Sequence, residues 1–208
     1  MAGQIKAIIF DLGNVLVDLD PRISAAKLAG YVNKSADDIY GIFSKSQLIQ
    51  PFEEGKISAG EFFSRVKEAL VLEIEFERFK GIWNGIFFLK PDNRQVYDLI
   101  RRLYPSYTTA LLSNTNYLHF EYLKYAFPVF DRFHHILLSY EMGLVKPDPR
   151  IYRKALDILK ADPAEVFYVD DRPDLIEAAS RMGIRAFVFK GCGQLMKDLA
   201  DCGISKGL

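Results

Sequence analysis

The sequence has 208 residues, half of them hydrophobic, so it can bury one full core and a small second subdomain but not two large domains. Lysine plus arginine and aspartate plus glutamate number 27 each, so no net charge attracts nucleic acid or a membrane surface, and we expect neither as a partner. No run of about 18 apolar residues could span a bilayer and residues 1–6 lack a secretory pattern, so we expect a cytoplasmic protein whose two cysteines, Cys192 and Cys202, are free thiols.

Short apolar segments alternate with helical patterns along most of the chain. The predicted strands are Ile5–Phe10, Thr108–Leu112, His135–Leu138, Val166–Val169 and Ala186–Phe189. The predicted helices are Asp92–Leu103, Ile151–Leu159 and about Pro173–Met182, the last followed by a capping Gly183. This alternation is typical of an α/β fold in which helices cover both faces of a Rossmann-like parallel sheet.

Residues 20–89 interrupt this alternation with helical patterns and no convincing strand. Ser58 and Glu61 form a capping box, and Ser35 with Asp38 forms a weaker one. An aromatic stripe indicates helix packing, either internal or at an interface, so the oligomeric state stays open; its members are Phe76, Phe79, Trp83, Phe87 and Phe88. We therefore predict an α/β core of residues 1–19 and 90–208 with an inserted small helical subdomain of residues 20–89.

Four polar segments follow, or lie near, the carboxyl ends of the predicted strands. They contain Asp11, the pair Ser113 and Asn114, Lys146, and the pair Asp170 and Asp171. In parallel α/β sheets, ligands bind in the crevice outside the carboxyl ends of the strands. These segments can therefore meet in one site.

Each segment alone has a structural explanation, as a turn residue, an N-cap, a surface charge or an acidic helix start. Together they supply a nucleophilic carboxylate, a hydroxyl donor, a fixed positive charge and an acidic pair, which are the groups that phosphoryl transfer needs. Neighbouring carboxylates repel each other strongly without a cation, and carboxylate oxygens are ligands for hard divalent cations. The combination favours Mg²⁺ as the cofactor.

The four segments resemble, in order, the four motifs of the haloacid dehalogenase superfamily. The matching stretches are Ala7–Val15, Leu111–Asn114, Gly143–Asp148 and Val166–Asp171. The helical insertion resembles the small helical cap of that superfamily. The wording of the motifs is similar to that of its bacterial sugar-phosphate phosphatases, including those acting on glucose 1-phosphate.

The resemblance implies a phosphatase of a small phosphorylated metabolite, with a role for each matching residue. Asp11 would attack phosphorus and form an aspartyl-phosphate. Ser113 and Asn114 would hold phosphoryl oxygens, and Lys146 would neutralise charge on Asp11 and the phosphoryl group. Mg²⁺ would be bound by Asp11, the backbone carbonyl of Gly13, Asp170 and Asp171.

Two positions depart from the pattern of the superfamily. Gly13 stands where most of its phosphatases place a second aspartate as general acid and base, and its backbone carbonyl cannot move a proton. Asp18, Asp20 or a metal-bound water are the candidate substitutes, and Gly13 is a candidate for a positive φ. Leu175 stands where Asn or Asp is more frequent, and Asp174 lies one residue earlier.

Two alternatives to a phosphatase stay open at this point. A weakened member that binds a phosphate ligand or a partner protein would fit the loss of the acid at Gly13. A dehalogenase also uses an aspartate nucleophile, but the acidic pair argues against it. Candidate substrate contacts in the insertion are Phe52, Glu53, Glu54, Trp83 and Asn84, each of which could equally serve a turn or packing role.

Overall fold

A parallel sheet of five strands lies at the centre of the structure, a computed structural model that describes residues 4–45, 47–127 and 129–207. In chain order, the strands are β1 (Ala7–Phe10), β2 (Asp18–Leu19), β3 (Phe87–Phe88), β4 (Thr108–Ser113), β5 (His135–Leu138), β6 (Val166–Asp170) and β7 (Arg185–Val188). The order in the sheet is β5-β4-β1-β6-β7, so β1 lies between β4 and β6 and pairs in parallel with both. The predicted α/β class with a Rossmann-like parallel sheet is confirmed.

Helices connect the strands and cover both faces of the sheet. Those between β2 and β3 are α1 (Pro21–Ala29), α2 (Ala36–Lys45), α3 (Gln50–Glu53), α4 (Ala59–Leu70) and α5 (Phe76–Asn84). Those after β3 are α6 (Pro91–Leu103), α7 (Tyr117–Ala126), α8 (Ser139–Met142), α9 (Pro149–Leu159), α10 (Pro173–Arg181) and α11 (Cys192–Asp201). None of the helices in the described part of the chain is long and apolar enough to cross a membrane.

The sheet separates two hydrophobic clusters because successive side chains of a strand point to opposite faces. Ile8 and Phe10 of β1 belong to one cluster, with α6 and α11, whereas Ala7 and Ile9 belong to the other, with α9 and α10. All four residues of β1 are buried, as expected for a central strand covered on both faces. The carboxyl end of β1 therefore opens into the middle of the molecule.

A third hydrophobic cluster holds α1 to α5 together, and these helices are called the helical insertion below. Phe62 packs at its centre, stacked on Phe52 at 4.5 Å between ring centroids and tilted against Trp83 at 4.9 Å. The capping box of Ser58 and Glu61 is present at the start of α4, as predicted. The insertion has its own core, whereas the predicted division of the chain at residues 19 and 89 stays a prediction.

Most predicted strands and helices agree with the structure to within two residues at either end. Helices α7, α8 and α11 were not among the predicted elements. The strands β2 and β3 were missed as well: they form a two-stranded antiparallel ribbon that links the insertion to the sheet, although no strand was expected between Asp20 and Leu89. A strand of two residues shows no periodicity, so sequence patterns do not reveal it. Cys192 and Cys202 are free thiols, as predicted. Residues 1–3, 128 and 208 of the predicted core and residue 46 of the predicted insertion lie outside the described residues.

Candidate active site

Three adjacent strands bring the predicted site residues to one edge of the sheet. Asp11 directly follows β1, Ser113 ends β4 and Asp170 ends β6. The register pairs Phe10 with Leu111 and Val169, so the ends of these strands lie side by side. The predicted meeting of these segments at the carboxyl ends of the strands is what the structure shows.

Lys146 lies between the acidic residues of the site. Its Nζ donates to Asp11 Oδ1 at 2.7 Å, to Asp170 Oδ2 at 2.6 Å and to the carbonyl oxygen of Leu112 at 3.0 Å. The Tyr168 hydroxyl also donates to Asp170 Oδ2. Lys146 is 3 % exposed and Asp170 is fully buried, so water screens these charges little.

Burial and charge act in opposite directions on these groups. Burial raises the pKa of the Asp11 carboxyl above its ordinary value, while the Lys146 ammonium acts to lower it. Burial alone would lower the pKa of Lys146, but the carboxylates of Asp11 and Asp170 raise it above its ordinary value. Lys146 therefore stays positively charged and holds Asp11 in place.

The amide side chain of Asn114 fixes the loop that carries Lys146. Its Nδ2 donates to the Lys146 carbonyl oxygen at 2.9 Å, and its Oδ1 accepts from the Lys146 backbone N–H at 2.7 Å. Asn114 thus uses its side chain for positioning, and its backbone stays available for the predicted phosphoryl contact. Ser113 is buried beside it, with its hydroxyl 3.4 Å from the Asn114 carbonyl oxygen.

Asp11, Asp170 and Asp171 form a cluster that could hold a metal ion. Each offers one carboxylate oxygen, and these oxygens all lie within 4.8 Å of one another. Asn14 Nδ2 donates to Asp171 Oδ2 at 2.9 Å and orients that carboxylate, whose pKa is raised by burial. Hard cations such as Mg²⁺ prefer carboxylate oxygens and usually bind to one or two carboxylates, so these side chains fit that ion.

A cavity of about 300 Å³ lies between the helical insertion and the carboxyl ends of the strands. The insertion contributes apolar side chains, among them Phe43, Ile49 and Trp83, and the carboxyl group of Glu53. The floor contains every predicted site residue: Asp11, Gly13, Ser113, Asn114, Lys146, Asp170 and Asp171. Small-molecule sites begin at roughly 300 Å³, so the cavity suits a small metabolite.

The three positions proposed around Gly13 differ from expectation. Gly13 does not have a positive φ; the left-handed residue of this turn is Asn14, with φ 54°. Asp18 forms an ion pair with Lys90, and Asp20 caps α1 by accepting from the Arg22 backbone N–H. Neither Asp18 nor Asp20 lines the cavity among the described residues, so neither is placed to replace the missing acid.

The second departure from the family pattern is also explained by the structure. Leu175 is buried and lines the cavity, whereas Asp174 is exposed and pairs with Arg172 at 2.6 Å. Asp174 therefore does not take over the role of the residue that Leu175 replaces. Instead, Asn14 contacts Asp171, a contact that was not predicted from the sequence. The available signal was an asparagine, which tolerates the left-handed region, three residues after the predicted nucleophile.

Two titratable residues of the cavity were given no catalytic role by the sequence. Burial raises the pKa of Glu53 to about 7, although the charges of Arg172 and Lys146 act to lower it. Burial lowers the pKa of His119 to about 4, and this ring stacks on Trp83 at 5.0 Å. Neither value could be read from the sequence, because both arise where the insertion meets the sheet.

Comparisons with known proteins agree with this geometry. Residues 5–183 match the family model of haloacid dehalogenase-like hydrolases. The chain is 32% identical over 190 residues, 88% of its length and 91% of the relative, to a D-ribitol-5-phosphate phosphatase of Bacteroides thetaiotaomicron. It is 27% identical over 190 residues, covering 88% and 89%, to a sesquiterpene phosphatase of Aspergillus oryzae.

Among solved structures, one similar chain is a haloacid dehalogenase family enzyme of Bacteroides thetaiotaomicron in complex with magnesium and inorganic phosphate. The identity is 30%, the TM-score is 0.78, and the match covers 90% of this chain and 96% of the other.

Proposed function

Because the chain belongs to the family of haloacid dehalogenase-like hydrolases, we propose that it is a magnesium-dependent phosphatase of a small phosphorylated sugar or polyol. The observation that carries this proposal is the cluster of Asp11, Asp170 and Asp171 around Lys146 at the floor of a cavity. The relatives named for ribitol phosphate and for bound magnesium and phosphate support it.

Asp11 is the proposed nucleophile. Its Oδ1 accepts from Lys146, so the second carboxylate oxygen is the one available to attack phosphorus. The P–O bond to the leaving group breaks as the bond from Asp11 forms, which gives an aspartyl-phosphate that water then hydrolyses. The Lys146 ammonium lies beside the attacking group and neutralises charge on the phosphoryl oxygens.

Ser113 and Asn114 are proposed to bind the phosphoryl group. Both line the cavity at the end of β4, next to Asp11, and can donate from a hydroxyl and from backbone N–H groups. Asp11, Asp170, Asp171 and the Gly13 carbonyl would hold Mg²⁺. When bound, this ion offsets the negative charge shared by the carboxylates and the phosphate.

The helical insertion is proposed to act as a cap that selects the leaving group. In this proposal, residues 20–89 form the cap, and residues 1–19 and 90–208 form the core. Phe43, Ile49 and Trp83 give the upper wall of the cavity an apolar character, while Glu53 and Arg172 add polar groups to its lining. The free thiols suit a reducing compartment, so we infer a cytoplasmic location.

The acidic cluster also separates a phosphatase from a dehalogenase. Displacement of a halide from carbon by Asp11 gains nothing from two further carboxylates within 4.8 Å of the nucleophile, because they repel the halide. A phosphate ester and its cation make use of all three groups. The geometry therefore favours phosphoryl transfer.

The test measures phosphate release from ribitol 5-phosphate, glucose 1-phosphate and an aryl phosphate, with and without Mg²⁺. We expect turnover that requires Mg²⁺. Asp171→Ala should raise the Mg²⁺ concentration needed for half-maximal rate by at least about tenfold, since ligand loss weakens metal binding. Asp174→Ala is the matched control and should change it little, because Asp174 pairs with Arg172 on the surface.

Absence of turnover on every phosphate ester with Mg²⁺ present would refute the proposed function. Equal effects of Asp171→Ala and Asp174→Ala would mean that the metal ligands are assigned wrongly.

A further inference from the structure

The proposed reaction lacks a proton donor for the leaving group, because Gly13 occupies the position of the usual acid. An alkoxide is a poor leaving group, and a positioned acid is typically worth about 10²–10⁴ in rate. The donor must lie in the cavity, on the side from which the leaving group departs. Asp11 and Lys146 lie on the floor, so the donor is expected on the wall formed by the helical insertion.

In the part of the chain that the structure describes, four carboxyl-bearing residues line the cavity. Three of them, Asp11, Asp170 and Asp171, form the acidic cluster, and the fourth is Glu53. Glu53 is the last residue of α3, and its side chain is partly buried. Within the described residues, its carboxyl group has no hydrogen-bond or ion-pair partner. A partly buried carboxyl group without a partner in a cavity is available to a ligand.

His119 also lines the cavity and has a ring that could move a proton, but its contacts argue against this role. Its Nδ1 lies 3.1 Å from Asn116 Nδ2, and its Nε2 lies 3.3 Å from the Trp83 carbonyl oxygen. Both ring nitrogens are engaged by the protein. Burial lowers the pKa of His119 to about 4, so the ring is neutral at neutral pH and has no acidic proton to supply.

The turn after α3 is held against the core, which fixes the position of Glu53. Gly55 has a φ of +65°, and a Cβ atom at this position would lie 2.1 Å from the Tyr140 carbonyl oxygen of α8. The Gly55 N–H donates to the Phe52 carbonyl oxygen at 3.1 Å, and Phe52 is buried in the core of the insertion. Glu53 therefore lies between a residue packed in the insertion and a glycine packed on the core.

We propose that Glu53 is the general acid and base of the proposed phosphatase reaction, in place of the aspartate that Gly13 replaces. As Asp11 attacks phosphorus, the P–O bond to the leaving group breaks and the leaving oxygen takes the proton of the Glu53 carboxyl group. The resulting carboxylate then accepts a proton from the water that attacks the aspartyl-phosphate. The bond between phosphorus and Asp11 breaks, and Glu53 is protonated again.

The charges that face Glu53 suit a group that works in both protonation states. Burial raises its pKa from an ordinary value of 4.5 to about 7, Arg172 and Lys146 act to lower it, and Glu54 acts to raise it. An acid whose pKa lies near the working pH can both give and take a proton.

The inference rests on the proposed phosphatase function and is tested with Glu53→Gln. Glutamine keeps the shape of the side chain and removes the proton. The control is Glu68→Gln, an exposed glutamate of α4 that does not line the cavity. Both variants and the wild type are assayed with Mg²⁺ on a sugar phosphate and on an aryl phosphate, whose leaving group needs no proton.

For Glu53→Gln, we expect kcat/KM on the sugar phosphate to fall by about 10²–10⁴. On the aryl phosphate, formation of the aspartyl-phosphate should keep close to its wild-type rate, but its hydrolysis should slow. The assay should therefore show a burst of about one equivalent of phenol, followed by slow turnover. Glu68→Gln should behave as the wild type in both assays.

The pH dependence gives a second readout. Leaving-group departure needs protonated Glu53. The ratio of the wild-type kcat/KM to that of Glu53→Gln on the sugar phosphate should therefore have its maximum value below a pH of about 7. Above that pH it should decline about tenfold per pH unit, as the carboxyl group loses its proton. The titration of the substrate is common to both proteins and cancels in this ratio.

Three results would overturn the inference. One is a Glu53→Gln variant with wild-type rates on both substrates. Another is an equal loss of kcat/KM on the sugar phosphate and the aryl phosphate, with no burst of phenol. The third is a change of KM alone, which would make Glu53 a binding contact. A wild type without turnover on either substrate would instead refute the proposed function itself.

Discussion

Lys146 is the residue on which the electrostatics of the site depend. Its ammonium group is buried and bonds two carboxylates, those of Asp11 and Asp170, at 2.7 and 2.6 Å. A buried ion cluster costs desolvation, and it is tolerated when every member is paired. Removal of this cation leaves two carboxylates facing each other in an environment that screens charge poorly.

We therefore predict that Lys146→Met lowers the free energy of unfolding of the metal-free protein by about 3–5 kcal/mol. Urea titration followed by circular dichroism measures it. Saturating Mg²⁺ should reduce the difference, because a bound cation restores countercharge and stabilises the folded state. Lys6→Met is the control: Lys6 also pairs with a carboxylate, Glu165 at 2.6 Å, but is 63% exposed.

If Lys146→Met proved no more destabilising than Lys6→Met, the buried cluster would not have the energetic role given to it here.

At the same scale, the sequence predicted which residues meet at the candidate site but not all of their contacts. Asp11, Lys146 and Asp170 could be predicted to meet, because each follows a strand of one parallel sheet or lies near the end of one. The bond from Asn14 to Asp171 and the raised pKa of Glu53 could not, since both depend on how side chains from distant segments pack.

At the scale of elements, the turn at Gly55 joins the helical insertion to the core. Two glycines near this contact have left-handed backbones, Gly55 with a φ of +65° and Gly143 with a φ of +71°. An added methyl group meets the Tyr140 carbonyl oxygen at Gly55 but meets nothing within 4 Å at Gly143. Substituting each glycine by alanine therefore distinguishes two effects. Both substitutions strain the backbone, but only the one at Gly55 also disturbs close packing.

We predict that Gly55→Ala and Gly143→Ala both lose stability, by about 1–2 kcal/mol from the left-handed backbone alone. Gly55→Ala should also lower kcat/KM on a sugar phosphate by about a hundredfold, because the turn must move away from Tyr140 and misplaces Glu53 by roughly 1 Å. Thermal unfolding and initial rates measure the two effects. Equal activities of the two variants would show that the contact between the turn and the core does not position the site.

Elements differ in how well the sequence predicts them. The strand His135–Leu138 and the end of the helix at Leu103 were predicted to the residue, because apolar runs and proline mark them clearly. The ribbon of Asp18–Leu19 with Phe87–Phe88 was missed, since two-residue strands are defined by a partner 68 residues or more away in the chain. Periodicity detects local structure, and such pairings are not local.

At the scale of the whole molecule, the cavity depends on two separate cores. The sheet and its helices position Asp11, the proposed nucleophile, together with Lys146 and the acidic pair, whereas the insertion forms the opposite wall of the cavity. Trp83 of α5 stacks on His119 of α7 at 5.0 Å and so couples the two parts. In these proposals, phosphoryl transfer takes place at the floor of the cavity. The insertion selects the leaving group and supplies its proton.

The central claim is that phosphoryl transfer passes through Asp11. Rapid quenching of the wild type with a phosphorus-labelled aryl phosphate and Mg²⁺, followed by peptide mapping, tests it most directly. We expect an acyl phosphate at Asp11, cleaved by hydroxylamine, that forms and decays as fast as turnover requires. Asp11→Asn, with an unchanged circular dichroism spectrum, should show neither label nor turnover. Labelling at another residue, or turnover by Asp11→Asn above a small fraction of the wild-type rate, would contradict a covalent mechanism through Asp11.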